Sequence, residues 1–316
     1  MQLDLITVGR ISVDLFAEQI NTSFSQPQTF HKSIGGSPTN VAVAAAKLGH
    51  KSAIVTKVGV DPLGQYVLNK LSEFGVNTDF VKVAESGLTP VVLASQDPPE
   101  DPKIIFHRQP SAPDTQLIAS DIDDQTLKSA KNFWVSACAL SQGTTAESIF
   151  RWLEVRGRAK ETIIDLDYRP SFWKSREDAR AAAQRALSHC TIAIGNIAEC
   201  DVALGITDPN KAAKDLLSRG ISLAIVKMGG DGVLLATKDK SLVIKPLPIK
   251  LVCGLGSGDA FGGALIHGLL SGWDLEKIGA FANAAGAYLA SELMCADAMP
   301  SLDVLEKFIV QMGSKR

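Results

Sequence analysis

Short apolar segments alternate with amphipathic ones along most of the chain, and this order limits the possible folds more than any other feature. Six segments have the continuous apolar character of buried strands: LITVG, SAIVTKVG, FWVSACAL, TIIDLDY, TIAIGN and LAIVKMG. Five others carry apolar residues at helical spacing: PTNVAVAAAKLG, GQYVLNKLSEFG, AESIFRWLEVRG, REDARAAAQRALSH and PNKAAKDLLSRG. This alternation predicts an α/β fold with a largely parallel central sheet.

Two stretches interrupt the alternation. Residues 11–34 are extended and polar without a helical period, and residues 89–109 contain two strand-like segments around a Pro/Asp-rich turn. Both stretches predict a small β lid. Because no linker, repeat or low-complexity segment occurs, residues 1–316 are predicted to form a single α/β domain that carries this lid.

Composition excludes several functional classes. The chain has 32 Lys+Arg against 34 Asp+Glu, with neither sign in a long block, so neither nucleic acid nor a membrane surface is expected as a partner. The five cysteines are scattered without CxxC pairs, which predicts reduced and mostly buried thiols rather than disulfides or a zinc site. The N-terminus carries an acidic residue where a signal peptide needs basic ones, and no stretch of about 18 apolar residues occurs, so we expect a soluble cytoplasmic protein that binds small molecules.

The stretch GLGSGDAFGG at 254–263 is the strongest candidate for a functional site. It lacks the Lys of a Walker loop, and it does not have the position of a dinucleotide fingerprint after a first strand. It predicts a glycine turn that runs into a helix whose first residues are Asp259 and Ala260. Unpaired N–H groups at such a helix start favour an anion. They belong here to Gly256, Ser257 and Gly258.

Asp259 at this helix start has two interpretations. The same donors favour its charged form, so it is expected to be ionised at neutral pH and able to accept a proton from a hydroxyl during phosphoryl transfer. Alternatively, its carboxylate only complements the helix dipole.

Three stretches resemble the two signatures of the ribokinase-type (PfkB) carbohydrate kinases: GGSPTNVAVAAAKLG at 35–49, VGVDPLGQYV at 58–67 and GLGSGDAFGGAL at 254–265. The resemblance covers essentially the whole chain. It implies a ribokinase-like three-layer α/β/α fold with a small β lid. It also implies ATP as the phosphoryl donor and Mg²⁺ as the metal.

The resemblance also implies roles for individual residues. Asp259 is the catalytic base, and residues 256–258 form the anion hole. Asn196 and Glu199, from GNIAEC, organise Mg²⁺ with its waters beside the nucleotide phosphates. The expected ATP site further includes Lys227, Gly229, Gly232 and Asn283.

Each of these residues also has a purely structural interpretation. Asn196 and Glu199 fit the cap of a helix, Lys227 fits a solvated strand end, and the two glycines of VKMGGDG fit a hairpin turn.

Polar residues in the first half of the chain indicate the sugar side. Asp14 can accept from sugar hydroxyls, Asn40 can donate and accept, and Gly35 with Gly36 lets backbone approach a ligand. Asp14 and Asn40 also fit turn or helix-cap positions. Three arginines fall on segments that flank the predicted pocket and are suited to bind the carboxylate of a sugar acid: Arg10, Arg108 and Arg169.

The segments DLDYRPSFW at 165–173 and CADAMP at 295–300 resemble the branch of the family that phosphorylates the C6 hydroxyl of 5-dehydro-2-deoxygluconate in inositol breakdown. In this assignment Arg108 or Arg169 holds the acid end, while Arg169 alternatively contacts the transferring phosphate. The other candidates are a 2-dehydro-3-deoxygluconokinase, a fructokinase and a non-catalytic sugar- or nucleotide-binding regulator.

Two further points stay open in the sequence. Cys253-Gly254 stands where the family often has Asp-Thr, a place linked to a monovalent-cation site, so a K⁺ requirement is not determined. In relatives the lid often forms a dimer contact. Apolar lid residues that would be exposed make a homodimer through the lid a candidate assembly here: Val91, Leu93, Ile104 and Phe106.

Overall fold

The computed structural model describes residues 2–99, 102–108, 111–159 and 161–313. Its strands are β1 Leu5–Val8, β2 Ser12–Ile20, β3 Phe30–Gly35, β4 Ser52–Val58, β5 Val81–Val83, β6 Val91–Gln96, β7 Ile104–His107, β8 Asn132–Ser136, β9 Glu161–Asp165, β10 Ile192–Asn196, β11 Leu223–Lys227, β12 Val233–Ala236 and β13 Ser241–Ile244. Its α-helices are α1 Ser37–Lys47, α2 Pro62–Glu73, α3 Asp124–Ser129, α4 Gly143–Arg156, α5 Arg176–Leu187, α6 Ile197–Leu204, α7 Pro209–Ser218, α8 Ser257–Leu270, α9 Leu275–Ala290 and α10 Leu302–Gly313.

Nine strands form the large sheet, in the order β13-β12-β11-β10-β9-β8-β1-β4-β5. The strands from β11 to β5 are parallel, whereas β12 pairs antiparallel with β11 and β13 pairs antiparallel with β12. Every segment that the sequence predicts as a buried strand belongs to this sheet. All four residues of β1 are buried, as expected for a strand covered on both faces.

Helices cover both faces of the large sheet. Alternate residues of β1 enter different apolar clusters, Leu5 with residues of α1, α8 and α9, and Ile6 with residues of α4, α5 and α7. Local signals place the helix ends: Asp61 accepts from the backbone N–H groups that begin α2, and Gly157 ends α4 with φ 58°. The predicted three-layer α/β/α fold is confirmed.

A second sheet lies beside the large one, with strand order β3-β2-β6-β7. It is built from the two stretches that interrupt the sequence pattern, although residues 100, 101 and 109 of the second stretch lie outside the described residues. The register pairs Asp14 with Ser33 on one side and with Val92 on the other. The movement of this lid over a bound ligand stays a prediction.

Two smaller predictions concern cysteines and membranes. All five cysteines are free and buried, as expected for reduced thiols. Within the described residues, no helix combines the length and apolar character needed to cross a membrane.

Candidate active site

A cavity of about 510 Å³ lies between the second sheet and the carboxyl ends of the strands in the large sheet. Ligand sites of parallel α/β sheets favour this edge. Thirteen of the residues proposed from the sequence line its wall: Arg10, Asp14, Gly36, Asn40, Arg169, Asn196, Glu199, Lys227, Gly229, Gly256, Ser257, Gly258 and Asp259.

The glycine turn forms one wall of the cavity. Gly256 has φ 82°, a conformation suited to glycine, and a Cβ there would lie 2.5 Å from Sγ of Cys295. Helix α8 begins at Ser257, so the predicted start at Asp259 is two residues late. Among the described residues, none accepts a hydrogen bond from the N–H groups of residues 256–258. These donors are therefore available to a ligand anion.

Asp259 and Asn40 meet although they are far apart in sequence. Nδ2 of Asn40, in the first turn of α1, donates to Oδ2 of Asp259 at 2.7 Å. Desolvation by the surrounding protein raises the pKa of Asp259 to about 6, although the Asn40 donor opposes this rise. The expectation that local donors govern this carboxyl is therefore wrong in direction. The group is still mostly ionised at pH 7, and it can accept a proton there.

Asn196 and Glu199 combine both of their sequence interpretations. The side chain of Asn196 accepts from the N–H of Glu199 at 2.9 Å, and Oε2 of Glu199 accepts from the N–H of Asn196 at 2.6 Å. This capping box begins α6, and both residues also line the cavity. The cap uses one carboxylate oxygen of Glu199 and leaves the other for a ligand.

Lys227 lies at the end of β11, beside the glycine turn. A Cβ at residue 258 would lie 2.9 Å from its Nζ, so the glycine permits this close approach. Burial disfavours the ammonium, but the carboxylates of Asp165, Glu199 and Asp259 outweigh it and raise the pKa of Lys227. The solvated-charge interpretation therefore does not hold.

Asp165 and Asp167 line the cavity but were not selected from the sequence. Asp165 ends β9 as Asn196 ends β10 and Lys227 ends β11, so three adjacent parallel strands present polar ends. Burial raises the pKa of Asp165 to about 8, against the effect of Lys227. An acidic residue directly after the apolar TII of TIIDLDY is the signal that could have found it.

Oxygen ligands near these strand ends fit Mg²⁺. Asn196 and Glu199 supply amide and carboxylate oxygens at the cavity wall. Among the described residues, no three acidic, His or Cys side chains are arranged to enclose a metal. Magnesium commonly keeps several waters and takes only one or two protein carboxylates, so this sparse set fits a water-mediated ion.

On the opposite wall, Asp14 is buried and accepts from Oγ of Ser12 at 2.6 Å. Burial raises its pKa, although Arg10 and Ser12 favour the charged form. Gly35 does not line the cavity but makes room for this side chain, because a Cβ there would lie 1.8 Å from Oδ2 of Asp14. Gly36, with φ 104°, precedes α1.

Two arginines enter the cavity and one does not. Arg169 pairs through Nε with Oδ1 of Asp167 at 3.1 Å, and Arg10 lies 5.3 Å from the ring centre of Phe106. Burial raises the pKa of Asp167, but Arg169 and Arg10 outweigh it and lower the pKa overall. Arg108 instead donates to Asp114 at 2.7 Å in a buried pair outside the cavity. The placement of Arg108 at the substrate is therefore not seen in this structure.

Two residues predicted for the ATP site lie outside this cavity, so their nucleotide role stays a prediction, and two apolar lid residues lie in a different environment from the one expected. Gly232 has φ 94° in the turn between β11 and β12 and does not line the cavity, and Asn283 donates to the carbonyl of Lys245 instead. Ile104 and Phe106 line the cavity rather than facing solvent. The register explains this, since both lie across from residues of β6 whose side chains share the cavity face, Ala94 and Val92.

A hydrogen bond connects the tip of the second sheet to the glycine turn. The N–H of Gly254 donates to the carbonyl of Pro99 at 3.2 Å, and Pro102 lines the cavity. The two walls of the site therefore touch at this point.

A comparison with protein families matches residues 2–302 to the pfkB family carbohydrate kinases. Among curated proteins, the 5-dehydro-2-deoxygluconokinase of Geobacillus thermodenitrificans is 32% identical over 321 residues, covering 99% of this chain and 95% of the relative. The enzyme of the same name from Clostridium beijerinckii is 32% identical over 319 residues, covering 98% of this chain and 93% of the relative.

Solved structures share the fold at lower identity. The fructokinase of Xylella fastidiosa with bound ATP superposes with a TM-score of 0.86 at 23% identity, covering 98% of this chain and 99% of that one. A protein of E. coli assigned as a ribokinase II, in complex with ATP and Mg²⁺, has a TM-score of 0.88 at 23% identity with the same coverage.

Proposed function

Because the chain belongs to the pfkB family of carbohydrate kinases, we propose that it transfers the γ-phosphoryl group of ATP to the C6 hydroxyl of 5-dehydro-2-deoxy-D-gluconate. The observation that carries the kinase chemistry is Asp259, held by Asn40 beside three backbone N–H groups that have no acceptor among the described residues. Two relatives named 5-dehydro-2-deoxygluconokinase, each 32% identical to the chain, support the choice of sugar.

In the proposed reaction Asp259 accepts the proton of the C6 hydroxyl, and the oxygen attacks the γ-phosphorus in line with the departing ADP oxygen. The carboxyl, with a pKa of about 6, is mostly ionised at neutral pH and close to the range that suits a general base. The N–H groups of residues 256–258 and the Lys227 ammonium face the charge on the moving phosphoryl group. After transfer, ADP and the sugar phosphate leave.

Nucleotide binding is assigned to the part of the cavity at the ends of β10 and β11, which is lined by Asn196, Glu199, Lys227 and Gly229. Bound Mg²⁺ would neutralise phosphate charge there, with Glu199 contributing through water. Asp165 also lines this cavity, and its carboxylate raises the pKa of Lys227, so it extends this set.

The acid end of the sugar is assigned to Arg10 and Arg169. Both guanidinium groups reach the same cavity as Asp259, whereas Arg108 is paired with Asp114. Because a guanidinium binds a carboxylate more strongly than a neutral hydroxyl, this pair favours a sugar acid over fructose. 2-Dehydro-3-deoxygluconate also carries a carboxylate and is therefore the alternative substrate.

The second sheet is proposed to open for the sugar and to close over it, which excludes water from the phosphoryl group.

The outer face of the second sheet carries Leu15, Leu93 and Ile105 in register, and Ile105 is 41% exposed. We propose that a second copy of the chain covers this apolar stripe. Sedimentation of Ile105→Lys beside the unmodified protein tests the dimer, and an unchanged sedimentation coefficient would reject it.

A carbohydrate kinase that uses ATP and has five unpaired cysteines is expected in the cytoplasm. We also expect activity without added K⁺, since the buried thiol of Cys253 offers no carboxylate for a cation. Replacing K⁺ by Na⁺ in the assay tests this second point.

The deciding experiment measures ADP release with Mg²⁺ and four acceptors: 5-dehydro-2-deoxygluconate, 2-dehydro-3-deoxygluconate, fructose and ribose. We expect turnover of the first and loss of that turnover in Asp259→Asn, which keeps the side-chain volume. Preferred turnover of the second acid would move the assignment to the alternative substrate. Equal turnover of fructose or ribose would reject both acids, and activity retained in Asp259→Asn would reject the carboxylate as base.

A further inference from the structure

Asp297 lies outside the cavity, between α9 and α10, yet its carboxylate joins two parts of the molecule. Oδ1 pairs with Nζ of Lys70 in α2 at 2.8 Å, and Oδ2 accepts a hydrogen bond from the hydroxyl of Ser33 in β3. Ser33 is fully buried, and the Asp297 side chain is only 23% exposed. One carboxylate therefore ties the second sheet to the α/β body.

The segment around Asp297 has a separate attachment. Nζ of Lys47, in the last turn of α1, donates to the main-chain carbonyls of Asp297 at 2.8 Å and Met299 at 3.0 Å. Because these bonds use the backbone, replacing the Asp297 side chain leaves the segment anchored to α1. The effect of such a replacement can therefore be assigned to the carboxylate.

Ser33 is a close neighbour of the residue that faces the sugar. It is the register partner of Asp14, and paired residues of an antiparallel ladder project from the same face. From Ser33, the strand continues to Gly35, whose missing Cβ makes room for the Asp14 carboxylate. A shift of Ser33 would therefore be expected to shift Asp14 as well.

The same segment also touches the glycine turn. Sγ of Cys295, two residues before Asp297, donates to the carbonyl of Leu255 at 3.4 Å and packs where a Cβ of Gly256 would lie. We propose that Asp297 is a positioning residue that, through Ser33, fixes Asp14 relative to the glycine turn and Asp259. It holds the sugar side of the cavity in register with the base without touching substrate.

The kinetic test of this inference rests on the proposed function. A second test, by hydrogen exchange, uses the protein without substrate. Three variants isolate the link: Asp297→Ala, Ser33→Ala and the double variant. Asp297→Asn keeps an acceptor for Ser33 and serves as the conservative rescue. Tyr66→Phe is the matched control, since Tyr66 donates from α2 to the carbonyl of Lys32, the residue before Ser33.

We expect each alanine variant to raise KM for the sugar acid about tenfold, with KM for ATP unchanged, because a charge-assisted hydrogen bond is lost on the sugar side alone. The double variant should be no worse than Asp297→Ala alone, since Asp297→Ala already removes the contact that Ser33→Ala removes. Asp297→Asn should recover most of the affinity, and Tyr66→Phe should leave both KM values unchanged.

Hydrogen exchange supplies the measurement that is independent of the sugar. Amides of β2 and β3 should exchange faster in Asp297→Ala, while those of β9 and β10 keep their protection. Additive KM effects, equal changes in both KM values, or a matching effect of Tyr66→Phe would overturn the proposal. If no sugar acid is phosphorylated by the unmodified protein, unchanged exchange in β2 and β3 would still overturn it.

Discussion

The two walls of the cavity are built in different ways. The strand-end wall, formed by Asp165, Asn196, Lys227 and the turn 254–259, uses the last residues of adjacent parallel strands and backbone N–H groups. The second-sheet wall, formed by Asp14, Val92, Ile104 and Phe106, uses side chains from separate strands. The first wall is fixed by main-chain geometry of the large sheet. The second depends on how a smaller sheet is held in place.

This difference predicts a division of kinetic effects: changes in the strand-end wall should act on kcat, and changes on the sugar side should act on KM for the sugar. The strongest test is Lys227→Met. Removing the ammonium leaves carboxylates without their cation beside the moving phosphoryl group, so kcat should fall roughly 10²- to 10³-fold. Steady-state kinetics with both substrates measures it, and melting curves check that the variant folds. A large rise in sugar KM with kcat intact would break the division.

Arg10→Gln tests the sugar side. Loss of a charged donor to the substrate carboxylate should raise the sugar KM about 30-fold with kcat nearly unchanged. Arg10→Lys, which keeps charge but not the paired donors, should give an intermediate value. A fall in kcat at constant KM would instead assign Arg10 to the transferring phosphate.

The pH profile sharpens the assignment of the base. Asp259 must be ionised to accept a proton, and its pKa is raised to about 6. At fixed saturating Mg-ATP, kcat/KM for the sugar should therefore rise with pH and level off above that value. Below it, the decrease should be about tenfold per pH unit. A profile that is flat from pH 5 to pH 7 would contradict Asp259 as the titrating base.

Arg108→Gln should have the smallest kinetic effect, because Arg108 is tied to Asp114 outside the cavity. The sugar KM should change by less than about threefold, while the protein loses about 3 kcal/mol of stability because Asp114 is left buried and unpaired. Denaturant unfolding and kinetics on the same sample separate the two effects. A KM increase equal to that of Arg10→Gln would show that Arg108 reaches substrate after a movement of the second sheet.

The strand-end wall was the more predictable of the two. Alternating strands and helices and a glycine turn are local patterns; they predicted the strands of the large sheet and the turn that enters α8, and this turn lines the cavity. The start of α8 was missed by two residues, since the helical conformation already includes Ser257 and Gly258.

Long-range packing determined what the sequence could not give. The pKa of Asp259 depends on protein brought around it, including Asn40 at a separation of 219 residues. Whether Phe106 faces ligand or solvent depends on which face of the second sheet docks, and strand periodicity alone does not specify this. The partner of Arg108, Asp114, lies only six residues away in the sequence, but no local motif indicates that the two side chains pair.

The capping box at Asn196 and Glu199 affects which residues are expected to persist in a related chain that has lost its activity. Because these two side chains begin α6, a descendant that no longer phosphorylates anything would keep them for stability alone. Asp259, in contrast, lowers the stability of the folded chain at neutral pH. Its pKa is about 6 in the folded chain against 3.8 as the reference for an exposed carboxyl, so above pH 6 its charge costs folding free energy, a cost absent well below pH 3.8. The presence of this aspartate in a relative is therefore a stronger indication of continued catalysis than the presence of Asn196 and Glu199.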